Sequence, residues 1–358
     1  MNVTVVGGGI AGLTCALSLH AAGLEPRVYE ATRQVEAVGV GINLLPHAVR
    51  ELSELGLDGE LASVALPPLR LSYHDRTGRT VWDEPLGRAA GYHWPQYPVH
   101  RGRLQMLLLA AVRERLGPDS VRTGLLFQRF EETSGGVRAH FLDRSSALSV
   151  VDDADVLVGA DGIDSAIRAQ LFPHEGPPKG NGVHMWRGVA HHPPVLDGRS
   201  IVVAGGAPGA KFVAYPIEDP ATGAGDALVN WVLEVRHPRS APPADGPGRR
   251  VTAAEVHARL SSWQLPWIDL TAIAERSSAI FEYPMLDRDP LPRWSFGRVT
   301  LLGDAAHPMF PMGMNGGALS EGQAERIATR YKELGRATTA QVNTHTSWTV
   351  RAIAADRE

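Results

Sequence analysis

The stretch Val3-Thr4-Val5-Val6-Gly7-Gly8-Gly9-Ile10-Ala11-Gly12 decides the fold. A short β-branched run enters glycines spaced G-x-G-x-x-G, and Ala11 to Ala22 follows with Leu13, Ala16, Leu17 and Leu19 at helical spacing. Gly23 ends that helix and Pro26 to Ala31 reads as a second strand. Strand, tight turn, helix and strand thus fit within about 30 residues, the size of one βαβ motif. Gly7 makes the turn, Gly9 lets the backbone approach a pyrophosphate, and Gly12 allows close helix packing. The helix N-terminus at Ile10 and Ala11 then faces the phosphates. Glu30, 18 positions beyond Gly12, closes the second strand with an acceptor for a ribose diol. The motif specifies a dinucleotide and leaves FAD and NAD both open.

Composition narrows the class. The 358 residues suffice for two domains, and 44% hydrophobic with 21% charged residues is ordinary for a globular enzyme. A formal net charge of −4 gives no broad positive field, so neither nucleic acid nor an anionic membrane is an expected partner. Cys15 is the only cysteine, which excludes an internal disulfide and a Cys-rich metal site. Met1 to Val6 has no basic leader, and no apolar run approaches the ~18 residues that span a bilayer. The expected location is cytoplasmic. His191 and His192 are adjacent and lack a carboxylate or cysteine cluster, so no metal is expected.

Along the chain, a helix is expected over Pro46 to Leu55, ended by Gly56. Strand pieces Leu69 to Tyr73 and Thr80 to Trp82 flank a turn at Asp75 to Gly78, and helical patterning returns at Arg103 to Leu116. Val156 to Val158 is a compact strand entering Gly159-Ala160-Asp161-Gly162, and Pro173 to Gly182 reads as an interdomain crossing. Strands are expected at Met185 to Val189, Ser200 to Val203, Phe212 to Pro216, Ala227 to Val235 and Ala279 to Tyr283. One helix, Ala253 to Trp263, interrupts them, and Pro238 to Arg250 reads as a surface loop. Val299 to Leu302 is a last buried strand ending at Gly303-Asp304. The class is α/β, a nucleotide-binding domain interrupted twice by a mostly antiparallel second domain.

Two further motifs resemble those of flavoprotein aromatic hydroxylases related to p-hydroxybenzoate hydroxylase. Asp161-Gly162-Ile163-Asp164-Ser165-Ala166-Ile167-Arg168 is similar to the family's D-G-x-x-S-x-x-R, and Gly303-Asp304-Ala305-Ala306-His307 to its G-D-A-A-H. The resemblance implies a Rossmann-like FAD-binding domain of the glutathione-reductase type, formed by 1–67, 99–175 and 291–330. It also implies an interleaved antiparallel substrate domain, 68–98 and 176–290, and an atypical C-terminal helical tail, 331–358. FAD then takes the glycine loop, and Asp304 binds its ribityl hydroxyls, a carboxylate being an acceptor-only group. Amides of Gly313, Met314, Asn315 and Gly316 face the flavin ring. Arg101 and Gln105, four apart on one helix face, contact FAD by the same resemblance, as do Val40 and Leu126. Asp161 is either a cofactor-site residue or half of an ion pair with Arg168. His307 resembles a structural hydrogen-bonding residue more than a base.

The narrower resemblance is to 5-methylphenazine-1-carboxylate 1-monooxygenase-like enzymes, through stretches such as Met185-Trp186-Arg187-Gly188-Val189 and Val229-Asn230-Trp231-Val232. It decays beyond Gly316, where Gly317 to Gly322 departs from the family pattern. It implies non-covalent FAD, NADH or NADPH as transient donor, O2 as co-substrate, and hydroxylation of an aromatic ring through a flavin C4a-hydroperoxide. The implied substrate is a planar, fused-ring carboxylate of phenazine type. Trp186, Tyr215, Trp231, Tyr283, Met285, Phe310 and Pro311 would wall its slot. Arg187 would meet its carboxylate, or else serve a structural ion pair. A hydroxybenzoate or aromatic polyketide as substrate, and a flavin-binding protein with impaired catalysis, remain alternatives. A monomer or a homodimer is expected, and no residue is singled out as catalytic because the flavin does the chemistry.

Overall fold

The computed structural model describes residues 1–205, 210–218, 225–236, 248–260 and 263–310. Its first sheet has six strands in the order Ser295–Phe296, Val299–Leu301, Val156–Gly159, Asn2–Val6, Glu25–Glu30 and Val121–Thr123. Asn2–Val6 is central, pairing in parallel with Glu25–Glu30 on one side and Val156–Gly159 on the other. The chain leaves this strand toward one edge and returns later on the opposite side. That reversal opens a crevice at the carboxyl ends of the strands, where open α/β sheets hold ligands.

The helix Ile10–Ala21 is buried along most of its length and packs with Arg101–Leu116 over this sheet. Both helices are terminated by glycines at positive φ, Gly23 at 79° and Gly117 at 97°. Cys15 lies inside this layer, where burial pushes its thiol up to about 12, so it is an inert core residue.

The second large sheet has eight strands, in the order Arg249–Val251, Ser277–Asp287, Lys179–His192, Ala227–Arg236, Ala210–Glu218, Ser200–Gly205, Arg70–His74 and Thr80–Pro85. All neighbours are antiparallel except Ser200–Gly205 with Arg70–His74. Helices Ala253–Leu260 and Leu270–Glu275 cover one face, burying Trp186, Phe212, Trp231 and Ile280 beneath them. The other face carries Tyr215 with Ile217 and a patch of Met185, Val232 and Met285. A small two-stranded antiparallel sheet, Gly41–Leu44 with Tyr97–His100, stands beside the eight-stranded sheet.

Several expectations change. The crossing at Pro173 to Gly182 is shorter than its Pro and Gly content suggests, because Lys179 and Gly180 already pair with Asp287 and Leu286. A bulge before His184 absorbs Asn181 and Gly182, the latter at φ 78°. Leu270–Glu275 is a second helix in a region where one was expected, started by Asp269, whose carboxylate accepts the amides of Thr271 and Ala272. Asp58–Val64 is a further short helix. The antiparallel sheet of Leu125–Glu132, Val137–Asp143 and Ser149–Ala154 has no counterpart in the sequence reading. The expected loop Pro238 to Arg250 ends in the edge strand Arg249–Val251, and its residues 237–247 lie outside the described residues. So do Ser261 and Ser262, near the end of the expected helix, and the tail 331–358.

Candidate functional site

Four parallel strands end beside one another, and each is followed at once by a residue singled out from the sequence. Val6 leads into Gly7, the second strand finishes on Glu30, Gly159 leads to Asp161, and Leu301 leads to Asp304. Together they surround a cleft of about 460 Å3. The glycine loop contributes Gly7, Gly9, Ile10 and Ala11, while Arg101 and Gln105 come from the neighbouring helix and Leu126 from the three-stranded sheet. Ile42, Phe127, Ala160, Gly162 and Asp164 also line it, and these were not selected from the sequence. Their signal was adjacency to motifs already quoted.

The loop geometry fits a pyrophosphate. A Cβ at Gly7, which sits at φ 109°, would stand 2.2 Å from the Ala160 carbonyl oxygen, and one at Gly12 would stand 1.9 Å from that of Gly7. Gly9 is different, for a Cβ there meets no protein atom within 4 Å. Its missing side chain therefore leaves room on the ligand side. No side chain caps the helix that begins at Ile10 and no acid lies in its first turn, so its amides remain for an anion.

Glu30 is held rather than free. Its Oε2 accepts the Gly8 amide at 2.7 Å and its Oε1 accepts the Thr32 amide at 2.8 Å. Gln105 Nε2 donates to the Gly8 carbonyl at 2.8 Å, so it braces the glycine loop while lining the cleft. Arg101 opens its helix, with its amide bonded to the Val40 carbonyl at 2.9 Å. Val40 itself is not part of the cleft wall; Ile42 takes that place. Arg103 is no isolated solvated charge, since it pairs with Glu218 at 2.6 Å across to the eight-stranded sheet.

The second motif corrects an alternative left open above. Asp161 does not pair with Arg168. Its Oδ1 accepts the Ser165 hydroxyl at 2.5 Å and its Oδ2 accepts the Ala166 amide at 2.9 Å, capping the helix Ala166–Leu171. Burial pushes its carboxyl above the usual range, opposed by these bonds. Arg168 is 1% exposed and pairs bidentately with Glu175. It also donates to the carbonyls of Ala305 and Ala306, each at 3.0 Å, and of Asp289 at 3.0 Å. The arginine of one motif thereby clamps the turn that presents Asp304 in the other. His307 follows that turn and packs on Trp294 at 5.0 Å between ring centres, off the cleft wall.

Where the two-stranded sheet meets the eight-stranded sheet, Gly41 is gripped at both its amide and its carbonyl. Its amide donates to Asn230 Oδ1 at 2.7 Å and its carbonyl accepts from Arg187 Nη2 at 3.0 Å. A Cβ at Gly41 would stand 2.7 Å from Asn230 Cγ and 2.8 Å from Tyr215 Cε2. Arg187 has no carboxylate among its hydrogen-bond partners, and its Nε is buried with none among the described residues. Burial accordingly lowers its pKa. Tyr215 is pushed up to about 12, also by burial, with Arg187 opposing.

This face groups the residues differently from the expected slot. Met285, Tyr283 and Phe310 share it with Met185 and Val232. Trp186 and Trp231, both 0% exposed, point the other way into the helix-covered core. The Trp231 indole donates to Ser277 there at 2.9 Å, and Trp186 carries the Arg259 guanidinium 4.3 Å from its ring centre. Strand alternation enforces the separation. Pro311, Gly313, Met314, Asn315 and Gly316 lie outside the described residues. Asn230, not selected from the sequence as a site residue, faces Gly41 of the two-stranded sheet.

A family profile described as FAD binding domain matches residues 1–333. The chain belongs to this FAD-binding family. It is 45% identical over 324 residues to a phenazine 1,6-dicarboxylic acid hydroxylase of Lysobacter antibioticus, covering 88% of this chain and 78% of that one. A 6-hydroxynicotinate 3-monooxygenase of Bordetella bronchiseptica is 30% identical over 345 residues, with 93% and 83% covered. Among solved structures, Klebsiella pneumoniae HpxO complexed with FAD and uric acid superposes with a TM-score of 0.78 at 25% identity, covering 96% of this chain and 82% of that one. The FAD-binding chain is thus a flavin-dependent monooxygenase of the aromatic hydroxylase type. No helix among its described residues is long and apolar enough to cross a membrane.

Proposed function

We propose that this enzyme hydroxylates a planar aromatic carboxylate of phenazine type, consuming NADH or NADPH and O2. The observation that carries the reading is Arg187, a half-buried guanidinium whose Nε is buried without a hydrogen-bond partner among the described residues, on the sheet face that carries Tyr215 and Met285. An unpaired buried cation is costly unless a ligand anion completes it. The Lysobacter relative is named for a phenazine diacid and the Bordetella relative for a pyridine acid, which supports an acidic aromatic ligand here.

The reaction balances as Ar–H + O2 + NAD(P)H + H+ giving Ar–OH + NAD(P)+ + H2O. Bound FAD supplies the electron transfer and the activation of O2. Gly7, Gly9 and the Ile10 helix end would hold its pyrophosphate, Glu30 the adenosine ribose, and Asp304 the ribityl chain. Arg187 orients the substrate through its carboxylate, while Met185, Val232, Met285 and Tyr283 exclude water from the ring. Non-covalent flavin fits a cleft whose wall, among the described residues, holds no histidine or cysteine. A cytoplasmic location fits the need for a reduced nicotinamide donor, and the enzyme is read as a monomer or homodimer.

The test supplies the purified flavoprotein with phenazine-1-carboxylate and with 4-hydroxybenzoate, and identifies product by mass. An oxygenated phenazine is expected. Efficient hydroxylation of the single-ring acid with no phenazine product overturns the substrate assignment and leaves the hydroxylase standing.

A further inference from the structure

Asn230 is fully buried, and its carboxamide has one satisfied end and one that is not. The Gly41 N–H can only be met by an oxygen, so Oδ1 faces Gly41 and the orientation of the amide is fixed. Nδ2 is then turned elsewhere, buried, and without a hydrogen-bond partner among the described residues. Arg187 Nε is in the same condition. Both side chains grip one residue, Asn230 at the Gly41 amide and Arg187 at the Gly41 carbonyl, so both spare donors belong to side chains that converge on Gly41. Neither can satisfy the other, because each is a donor only. A folded protein rarely leaves two such groups unmade in one place, and the pattern calls for a ligand with two neighbouring acceptors.

Asn230 does not line the dinucleotide cleft. It stands on the strand face beside Tyr215, with Val232 two residues further along, on the apolar side of the sheet. We propose that Asn230 Nδ2 donates to a ring nitrogen adjacent to the carboxylate held by Arg187, so that the pocket selects nitrogen-heteroaromatic acids over carbocyclic ones. The inference rests on the reading of Arg187 as the carboxylate partner. It adds a specificity residue to that reading and names the ring nitrogen as the feature that is recognised.

Phenazine-1-carboxylate and anthracene-1-carboxylate share size, shape and carboxylate, and differ at the ring nitrogens. Calorimetric titration of the FAD-loaded protein should show a preference for the phenazine on the order of tenfold, the worth of one buried hydrogen bond that is otherwise left unmade. In Asn230→Asp an oxygen still serves Gly41 while the donor is gone, and the added charge weakens both acids and cancels from the ratio. In Asn230→Ser the donor is withdrawn without added charge. Both ratios should fall to about one. Equal affinity of the two acids for the wild type overturns the role of Asn230, as does a ratio that survives both substitutions in protein still holding FAD. In either case weaker binding of phenazine-1-carboxamide than of the acid keeps the Arg187 reading. If the wild type binds neither acid, both are overturned.

Discussion

Replacing Arg187 by methionine separates a ligand-binding cation from a structural one. Methionine is nearly as long and fills the same space without charge. In the free protein the substitution removes one hydrogen bond, from Nη2 to the Gly41 carbonyl at 3.0 Å, worth about 1 kcal/mol. It also removes a buried guanidinium with no carboxylate partner, whose desolvation costs several kcal/mol. The second effect outweighs the first, so the melting temperature of Arg187→Met should be unchanged or higher. Ligand binding should move the opposite way. One charge-assisted hydrogen bond to a carboxylate is worth about 1.5 to 3 kcal/mol. At about 1.4 kcal/mol per decade, its loss weakens an aromatic acid roughly 10- to 150-fold. The matching carboxamide, which never made the charged contact, should lose much less. The assay pairs thermal denaturation of FAD-loaded protein with calorimetric titration of acid and amide. A melting temperature lowered by several degrees, with acid affinity intact, would show that Arg187 is a structural strut.

Asp304→Ala should lower flavin occupancy of the purified protein, read from its visible absorbance, because each lost charge-assisted bond costs about 1.5 to 3 kcal/mol; full occupancy would remove Asp304 from the site. Acid precipitation should release the flavin into the supernatant, and yellow colour retained in the pellet would establish a covalent link. Arg168→Met should cost about 3 to 5 kcal/mol of stability and loosen FAD, since it strands Glu175 and the carbonyls of Ala305 and Ala306. A melting point unchanged in that variant would refute the clamp. Hydrogen bonding and charge from Arg168 hold Glu175 below its ordinary 4.5, so this pair's contribution is complete above that value and is lost as pH falls through the lower folded value. Glu175→Gln should accordingly flatten the acid side of the stability profile, and an identical profile would refute the coupling. Gly41→Ala should separate the two-stranded sheet from the eight-stranded sheet and weaken aromatic acids, given the 2.7 Å approach to Asn230; unchanged affinity would show that the junction can give way.

The cofactor half of the site was legible because its signals are local. Gly7, Gly9, Gly12 and Glu30 lie in a single βαβ unit, and the unit carries its own geometry. That Asp161 and Asp304 join it was legible only through motif resemblance, since nothing near residue 304 says that its strand lies in the same sheet as residue 2. Ion pairing was harder still. Arg168 and Asp161 are near in sequence on either side of a helix cap, yet the guanidinium turns inward to Glu175 and to carbonyls more than a hundred residues away. The short sheet between Leu125 and Ala154 went unread although Val137–Asp143 alternates in burial.

The substrate half fails in a more instructive way. Trp186 and Arg187 are adjacent on one extended strand, so alternation forbids both from facing the same ligand. The same holds for Asn230 and Trp231 on the neighbouring strand. The sequence therefore contained a binary choice, with Arg187 and Asn230 on one side and the two tryptophans on the other. Residue type selects Trp186 and Trp231 as slot walls together with Arg187, a combination that alternation does not allow, and passes over Asn230. What reverses the choice is the pair of helices Ala253–Leu260 and Leu270–Glu275, which bury both tryptophans against the sheet. Asp269 starts the second of them with a capping carboxylate, and without that helix in view the large aromatics had no other surface to cover. Once it is in place, the remaining face presents Arg187 and Asn230 with an apolar border of Met185, Val232 and Met285, and on the proposed reading the guanidinium and the amide, not the indoles, meet the substrate.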